Sequence, residues 1–215
     1  MKSFVITIES MPESIKAAKR CIRSMPEYDV QMFPAVTPDD DPIMIAGSEG
    51  LDLSFFDVDA QKYSRFERCV SAFLSHYSLW KQCAEENVEY QIFEHDAVCV
   101  GNLPQFISHD GCISLGAPSY GKFNTPSVLG VSPLVSKVYF PGAHAYRLKP
   151  KAARTLVQHA RENAAPTDVY LSRTNFDWLQ EYYPWPVEAR DTFSTIQKKN
   201  GCRAKHNYGE SYELL

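Results

Sequence analysis

The sequence predicts an α/β fold, and three observations support this prediction. Ser3–Ile8 is a compact, β-branched run typical of a strand, a helix is expected over Met11–Met25, and Val30–Val36 reads as a second strand. A strand, a helix and a strand of these lengths form a βαβ unit, for which a parallel pairing with a right-handed crossover is expected. The helix Arg65–Glu86 and the strand that begins at Tyr90 then continue the alternation.

Length and composition limit the class of protein. The chain has 215 residues, which suits one domain over residues 1–215, and its 44% apolar and 22% charged residues are typical of a folded globular protein. No apolar run approaches the roughly 20 residues that cross a bilayer, and the N-terminal apolar run is too short for a signal-peptide core. Six cysteines without a CxxC pair indicate reduced thiols. These features predict a cytoplasmic protein, in a bacterium or in a virus-infected host.

The first half of the chain contains a loop and a long helix after the βαβ unit. Ser10 is the expected N-cap of the first helix. Residues 37–50 are rich in Pro, Asp and Gly and predict a loop, in which three consecutive aspartates form a solvated turn between two prolines. Arg65–Glu86 carries apolar residues three or four positions apart, which indicates one buried helix face. This helix leads to the strand Tyr90–Phe93.

The second half of the chain is expected to alternate short strands with helices. Residues 116–133 are rich in Gly, Pro and Ser and predict a mobile loop over a site. Thr167 or Asp168 is the expected cap of the last helix. The elements predicted here are strands at Cys112–Leu115, Leu134–Phe140 and His144–Leu148, followed by helices at 150–161 and 169–179.

The charges are unevenly distributed along the chain, although the net charge is only −4. Residues 111–161 contain no acidic residue, so this block has one sign of charge. A basic surface that attracts an anionic ligand is one interpretation, and the solvated face of a helix with its flanks is the alternative. The basic residues of the block are Lys122, Lys137, Arg147, Lys149, Lys151, Arg154 and Arg161.

An acidic turn follows the strand Tyr90–Phe93. Glu94 and Asp96 flank His95 at the carboxyl end of this strand, which is where ligands lie in open α/β sheets. Mg²⁺ and Mn²⁺ prefer carboxylate oxygens, and they often take one or two ligands from the protein and the rest from substrate phosphates. The turn therefore predicts a metal site, with a polar turn that only caps and solvates the strand as the alternative.

The order of several short motifs resembles glycosyltransferase family 25, the group that includes lipopolysaccharide-decorating and collagen-hydroxylysine transferases. The resemblance covers nearly the whole chain, and it depends on the order and spacing of motifs that are each weakly specific. The motifs are Phe33-Pro34-Ala35-Val36, Glu67-Arg68-Cys69, Ser75-His76, Glu94-His95-Asp96, Gly142-Ala143-His144-Ala145-Tyr146, Lys151-Ala152-Ala153, Pro166-Thr167-Asp168 and Ser194-Thr195-Ile196.

The resemblance implies a GT-A-like, nucleotide-binding α/β sandwich with a mainly parallel central sheet flanked by helices. It implies an inverting transfer of a sugar from a nucleotide-sugar donor, with a UDP-sugar as the expected donor, assisted by Mn²⁺ or Mg²⁺. Asp168 is the expected catalytic base. The metal is assigned to Glu94 and Asp96 with His95, and the donor to Glu67, Arg68, Ser75, His76 and His144.

The chain departs from the family pattern at two positions. The acidic motif of the family resembles Glu-Asp-Asp, whereas His95 is the middle residue here, and no arginine near Ser14 matches the one that usually lies early in the first helix. Two other functions remain open: a sugar-nucleotide-binding protein without turnover, and a metal-dependent phosphohydrolase or nucleotidyl transferase. The acceptor is a saccharide, a protein hydroxyl or a modified DNA base.

Overall fold

The computed structural model describes residues 1–56, 65–190, 193–196 and 213–214. The helices are α1 (Pro12–Arg23), α2 (Pro42–Ser48), α3 (Phe66–Glu86), α4 (Pro150–Asn163) and α5 (Thr167–Tyr170), with a 3-10 turn at Pro38–Asp40. The strands are β1 (Lys2–Thr7), β2 (Val30–Pro34), β3 (Tyr90–Glu94), β4 (Ala97–Cys99), β5 (Cys112–Ser114), β6 (Gly130–Pro133), β7 (Ala145–Leu148), β8 (Gln180–Tyr183), β9 (Val187–Ala189), β10 (Phe193–Ser194) and β11 (Glu213–Leu214).

A seven-stranded sheet in the order β2-β1-β3-β7-β5-β8-β6 forms the centre of the fold. Strand β1 pairs in parallel with β2 and β3, and β5 pairs in parallel with β8. Strand β7 is antiparallel to both β3 and β5, and β6 is antiparallel to β8. The predicted α/β sandwich is confirmed, and so is the parallel pairing of the first βαβ unit.

Helices cover both faces of this sheet. Because side chains alternate along a strand, Ile92 of β3 packs with α3 and α4, whereas Phe93 packs with α1. The α3 face is rich in aromatic residues, and Trp80 of α3 is fully buried there against Phe73 and Tyr170. Burial of one such side chain contributes roughly 1.5–3 kcal/mol. We call the two sides of the sheet the α3 face and the α1 face.

Two predicted loop and cap assignments are wrong. The predicted loop over residues 37–50 contains the 3-10 turn and α2, because Pro42 is suited to the first turn of a helix and Asp41 accepts a hydrogen bond from the backbone of Met44. The N-cap of α1 is Met11 rather than Ser10, and its side chain makes no capping hydrogen bond.

Two predicted elements of the second half are also wrong. The strand expected at Leu134–Phe140 lies earlier, at β6, because the backbone N–H groups of Val135 and Ser136 bond the side chain of Glu181 instead of a neighbouring strand. The helix expected at 169–179 is the short α5, whose N-cap is Pro166 rather than Thr167 or Asp168. Its apolar residues Leu171, Phe176 and Leu179 are buried in turns, so their spacing reflects packing rather than a helix.

One edge of the sheet brings several strand ends together. Glu94 ends β3, and its backbone N–H donates to the carbonyl of His144, which precedes β7 (3.0 Å). Ile6 of β1 is in register with Glu94, and β5 ends nearby because Leu115 bonds Ala145. The residues that follow β1, β3 and β5 therefore meet at this edge. No helix in the described part of the chain is long and apolar enough to cross a membrane.

Candidate active site

Glu94 lies on the α3 face at the edge where β3 ends. Its carboxylate oxygen Oε1 is 3.1 Å from Nε2 of His76, and 30% of its side chain is exposed. Partial loss of water around the carboxyl group raises the pKa of Glu94, and the charge of Asp168 raises it further. Glu94 is therefore partly exposed to solvent, and the charge of a second acid affects its ionisation.

A chain of buried hydrogen bonds holds His76 against Glu94. The indole N–H of Trp80 donates to the hydroxyl of Tyr146 (2.8 Å), and that hydroxyl lies 2.8 Å from Nδ1 of His76. Because Tyr146 accepts from Trp80, its own proton is available to Nδ1, and this leaves Nε2–H of His76 to donate to Glu94. Burial lowers the pKa of His76 to about 3, so the ring is neutral.

Asp168 is the second acid of this site. The hydroxyl of Tyr120 donates to Oδ2 of Asp168, and the backbone N–H of Val169 donates to Oδ1 (2.9 Å). Burial raises the pKa of Asp168, and the hydrogen bonds and the charge of Lys137 oppose that effect. The charge of Asp168 also acts on His76 and on Glu94. The structure therefore brings Asp168, Glu94 and His76 together.

His95, the middle residue of the acidic turn, is held on the other side of the sheet. Nδ1 of His95 lies 3.1 Å from the hydroxyl of Ser14 in α1, which also accepts the backbone N–H of Ile8 (2.9 Å). The backbone carbonyl of Asp96 accepts from the backbone of Arg190 (2.9 Å). His95, which is one departure from the family pattern, thus contacts Ser14, which lies in the part of α1 where the other departure, the missing arginine, was noted.

Of the five residues expected to bind the donor, only some lie next to Glu94. His76 and His144 flank Glu94, as described above. Ser75 is buried, and its hydroxyl joins α3 to the chain after β2 by accepting the N–H of Val36 (2.9 Å). Arg68 and Glu67 lie at the start of α3, roughly 12 Å along the helix axis from His76 at 1.5 Å per residue.

Arg68 and Glu67 have different surroundings. Nη1 of Arg68 donates to the carbonyl of Thr195 (3.0 Å), and Arg65 donates to the same carbonyl (3.0 Å). Glu67 is exposed on the first turn of α3. The contact of Arg68 with Thr195 does not involve the residues around Glu94, and Glu67 is exposed. A donor role for Arg68 and Glu67 therefore stays a prediction.

Two glycines fix the position of His144. A Cβ atom at Gly116 would lie 2.4 Å from Nε2 of His144, and one at Gly142 would lie 2.9 Å from Nδ1. Gly142 also has a φ of +105°, which other residues rarely adopt. The imidazole is 2% exposed, and only glycine fits on either side of it. The motif around His144 therefore has a clear packing reason for its glycine.

The metal site stays a prediction. In the described part of the chain, no group of three or more His, Cys, Asp and Glu side chains is placed to hold a metal ion. The donor set nevertheless fits a hard cation, because the carboxylates of Glu94 and Asp96 would supply two oxygen ligands and a bound diphosphate would supply others. Asp96 is only partly buried, as is Glu94.

The basic block serves two different purposes in the structure. Arg147 is 1% exposed and donates to Gln91 (2.7 Å) and to the carbonyl of Pro104 (2.6 Å), so it is part of the core. Lys149 donates to the carbonyl of His109, and Arg154 to the carbonyl of Ala84 (3.1 Å). Because these three residues bind backbone carbonyls, the basic-surface interpretation is limited to the other four, which are Lys122, Lys137, Lys151 and Arg161.

Lys122 and Lys137 line an open groove of about 680 Å³ beside Asp168. The amine of Lys137 lies 4.7 Å from the ring centre of Tyr120, which donates to Asp168, and 5.2 Å from that of Tyr139. We call this feature the basic groove. Its lining residues are Gly121, Lys122, Phe123, Asn124, Ser136, Lys137, Val138 and Tyr139.

Three residues of the site were missed in the sequence. Tyr120 lies in the segment expected to cover a site, but nothing in the sequence relates it to Asp168, 48 positions away. Lys137 lies in the basic block, without a signal that separates it from the structural members of that block. Tyr146 could have been found, since it closes the motif that contains His144 and shares the α3 face with Glu94.

Comparison with known proteins now supports one class for this site. The family described as glycosyltransferase family 25 (LPS biosynthesis protein) matches residues 1–171. The match covers most of the chain and includes β1–β7, Glu94 and Asp168. No curated protein matches the sequence. The chain belongs to glycosyltransferase family 25, and it is therefore a glycosyltransferase that acts on a donor and an acceptor.

Proposed function

We propose that the protein transfers a sugar from a nucleotide-sugar donor, with a UDP-sugar as the expected donor, to an acceptor hydroxyl with inversion at the anomeric carbon. The observation that most supports this proposal is the electrostatic interaction between Glu94 and Asp168. The two acids come from distant parts of the chain, and burial together with the charge of Asp168 raises the pKa of Glu94. Perturbed carboxyl groups of this kind are typical of catalytic sites.

Asp168 is the proposed general base. Its raised pKa makes it a stronger base than an ordinary aspartate, which suits removal of a proton from a hydroxyl group. Tyr120 and the backbone of Val169 fix the orientation of the carboxylate through one hydrogen bond to each oxygen. Each oxygen keeps a further lone pair for the acceptor.

The transfer is a single displacement. The acceptor oxygen forms a bond to the anomeric carbon while the bond from that carbon to the phosphate oxygen breaks. The proton of the acceptor hydroxyl goes to Asp168, and the nucleoside diphosphate leaves with the bonding electrons. Because attack and departure occur on opposite sides of the carbon, the configuration inverts.

Glu94 and Asp96 are the residues that would hold Mn²⁺ or Mg²⁺. When bound, the cation neutralises charge that develops on the leaving diphosphate. A cation would also favour the ionised form of Glu94, whose pKa is raised in the protein alone. His76 would hold the orientation of Glu94 through its Nε2–H, and His144 would form the wall beside it.

The proposal is tested by a screen of UDP-, GDP- and CMP-sugars for thermal stabilisation with and without Mn²⁺. A ligand at a hundred times its Kd stabilises a protein by about 2.7 kcal/mol, and we expect this only with one nucleotide class and with metal present. The sugar product should carry the anomeric configuration opposite to that of the donor.

Other products would contradict the proposal in distinct ways. Release of nucleoside monophosphate and sugar phosphate, at the same rate with and without any acceptor, would indicate a phosphohydrolase or nucleotidyl transferase. Retention of the anomeric configuration would exclude a single-displacement mechanism. Tight binding of a nucleotide sugar without consumption, across a panel of acceptors, would indicate a binding protein.

A further inference from the structure

We infer that the basic groove binds the acceptor, and that the acceptor is a saccharide that carries a carboxylate or phosphate group. This inference rests on the proposed role of Asp168 as the base, because the groove adjoins that residue. It adds a ligand class and a binding site to the proposed function.

The position of the groove relates it to Asp168. Tyr120 donates to Asp168 with its hydroxyl, and its ring lies under the amine of Lys137, a groove residue. Tyr120 also stacks on Tyr139, which lines the groove. A base must contact the acceptor hydroxyl, so a site next to Asp168 suits the acceptor.

A buried acid fixes the walls of the groove. Glu181 is fully buried, and its Oε1 accepts the backbone N–H groups of Val135 (2.6 Å) and Ser136 (2.7 Å). Asn124, on the opposite wall, donates its backbone N–H to the carbonyl of Ser136 (2.9 Å). The two walls are therefore joined to each other and to the sheet, which pre-forms the groove.

Glu181 also holds the aromatic part of the site. Its Oε2 accepts the indole N–H of Trp185 (3.1 Å), and the ring of Trp185 packs edge-on against Phe123 at 5.7 Å between centres. Phe123 is 40% exposed and lines the groove. An exposed aromatic ring held from behind in this way offers an apolar surface for the C–H face of a sugar ring.

The charge of the groove selects an anion. Among the residues that the structure describes, no acidic side chain forms an ion pair with Lys122 or Lys137. Two amines that form no ion pair in one groove attract a negative group, although the charge of Lys137 also acts on Asp168. The groove volume of about 680 Å³ is in the range of small-molecule sites, and two lysines on a chain of net charge −4 give little attraction for nucleic acid.

The inference is tested with two series of sugars that differ only at C6. The probes are glucose, glucuronic acid and glucose 6-phosphate, and galactose, galacturonic acid and galactose 6-phosphate. Their Kd values are measured by NMR titration of the full chain without any donor. We expect at least one acidic member to bind about 10-fold or more tightly than its neutral partner, since a charged hydrogen bond is worth roughly that factor.

Substitutions connect this preference to the groove. Lys122→Gln combined with Lys137→Gln should abolish the preference for the acidic sugar, whereas Lys151→Gln should leave it unchanged. Lys151 belongs to the same basic block and is exposed on α4, away from the groove lining. The affinity for UDP with Mg²⁺ should be the same in all three proteins, because the groove is assigned to the acceptor.

Several results would overturn the inference. Equal affinity for neutral and acidic sugars would do so, as would no detectable binding in either series. Inorganic phosphate that binds as tightly as the acidic sugar, or a 12-nucleotide DNA strand that binds more tightly than the acidic sugar, would also do so. Loss of UDP affinity in the double variant would assign the groove to the donor instead. If the acidic sugars bind as expected while no nucleotide sugar is consumed, the proposed function fails and the groove site remains.

Discussion

The two faces of the central sheet hold the same acidic turn in different ways. On the α3 face, Glu94 contacts a buried His76 and senses the charge of Asp168, so titratable groups are concentrated there. On the α1 face, His95 contacts the hydroxyl of Ser14, which is itself bonded to backbone. The α3 face holds the interacting groups Glu94, His76 and Asp168, and the α1 face holds the contact between His95 and Ser14.

This difference shows where the protein accepts a cost in stability. A carboxyl group whose pKa is raised by burial is destabilised in its charged form, and such arrangements persist mainly at functional sites. On the α1 face, the contact between Ser14 and His95 involves no carboxyl group. The comparison therefore assigns the chemistry to the α3 face and a supporting role to the α1 face.

The largest expected effect is that of Asp168→Asn on turnover. General-base catalysis typically contributes about 10² to 10⁴-fold, and the rate should fall by a factor of that order. Donor affinity should barely change, because the lost interaction matters mainly as the acceptor loses its proton. Single-turnover rates and donor affinities of the two proteins provide the measurement.

Asp177→Asn is the matched control for this variant, since Asp177 is an exposed acid in the same part of the chain. Its rate should equal that of the wild type. An unchanged single-turnover rate in Asp168→Asn would exclude Asp168 as the base. A strongly lowered rate in Asp177→Asn would make Asp177 the candidate base.

A smaller effect is expected from Tyr146→Phe on the α3 face. The substitution leaves the indole N–H of Trp80 and Nδ1 of His76 without their buried partner, at a cost of roughly 1–3 kcal/mol in unfolding free energy. Turnover should also fall, because the proton on Nε2 of His76 is no longer fixed toward Glu94. Urea unfolding and steady-state rates measure the two effects.

Ser14→Ala provides the corresponding test on the α1 face. It removes the buried acceptor of the N–H of Ile8 and the contact with His95, so the unfolding free energy should also fall by roughly 1–3 kcal/mol. Turnover, measured at a temperature where both proteins are folded, should stay within a factor of about three, which is less than 1 kcal/mol. A loss of rate as large as that of Tyr146→Phe would end the distinction between the faces.

The smallest effect is a pH dependence of stability that arises from Asp168. Burial raises the pKa of Asp168 in the folded protein above its ordinary value, so the folded state binds more protons than the unfolded state between the two pKa values. This contribution to stability is complete below the ordinary pKa and is lost as pH rises through the folded value. Asp168→Asn, which has no such ionisation, should therefore gain stability relative to the wild type as pH rises.

Thermal unfolding of the two proteins from pH 4 to pH 8 measures this difference. The Tm of the variant minus that of the wild type should increase with pH above the ordinary pKa and become constant above the pKa of Asp168 in the folded protein. A difference that decreases with pH would show that hydrogen bonds to the ionised carboxylate outweigh its burial.

The sequence predicted the scaffold better than the site. Periodic apolar spacing identified α3, and a β-branched run identified β1, because both features depend on local geometry. The helix expected at 169–179 was wrong because tertiary packing buries its apolar residues in turns. Tyr120 was missed because its contact with Asp168 joins two loops that are distant in the chain.

The residues of the acidic turn illustrate the same limit. Consecutive positions suggested one cluster of ligands, but side chains that follow one another in a strand and turn leave it on different sides. Glu94 contacts α3, and His95 contacts α1. The motif predicted where the site lies along the chain. Only the fold shows that Glu94 and His95 lie on different faces of the sheet.

The most direct test of the account is the paramagnetic broadening of tryptophan indole signals by Mn²⁺ with UDP. Trp80 is within three hydrogen bonds of Glu94 through Tyr146 and His76, whereas Trp178 lies against Gly111, just before β5 begins, at the opposite edge of the sheet. Mn²⁺ and UDP should broaden the indole signal of Trp80 far more than that of Trp178, and Asp96→Asn should remove the broadening. Equal broadening of both signals, or a sharp Trp80 signal with UDP and Mn²⁺ bound, would contradict the assignment of the site to the α3 face.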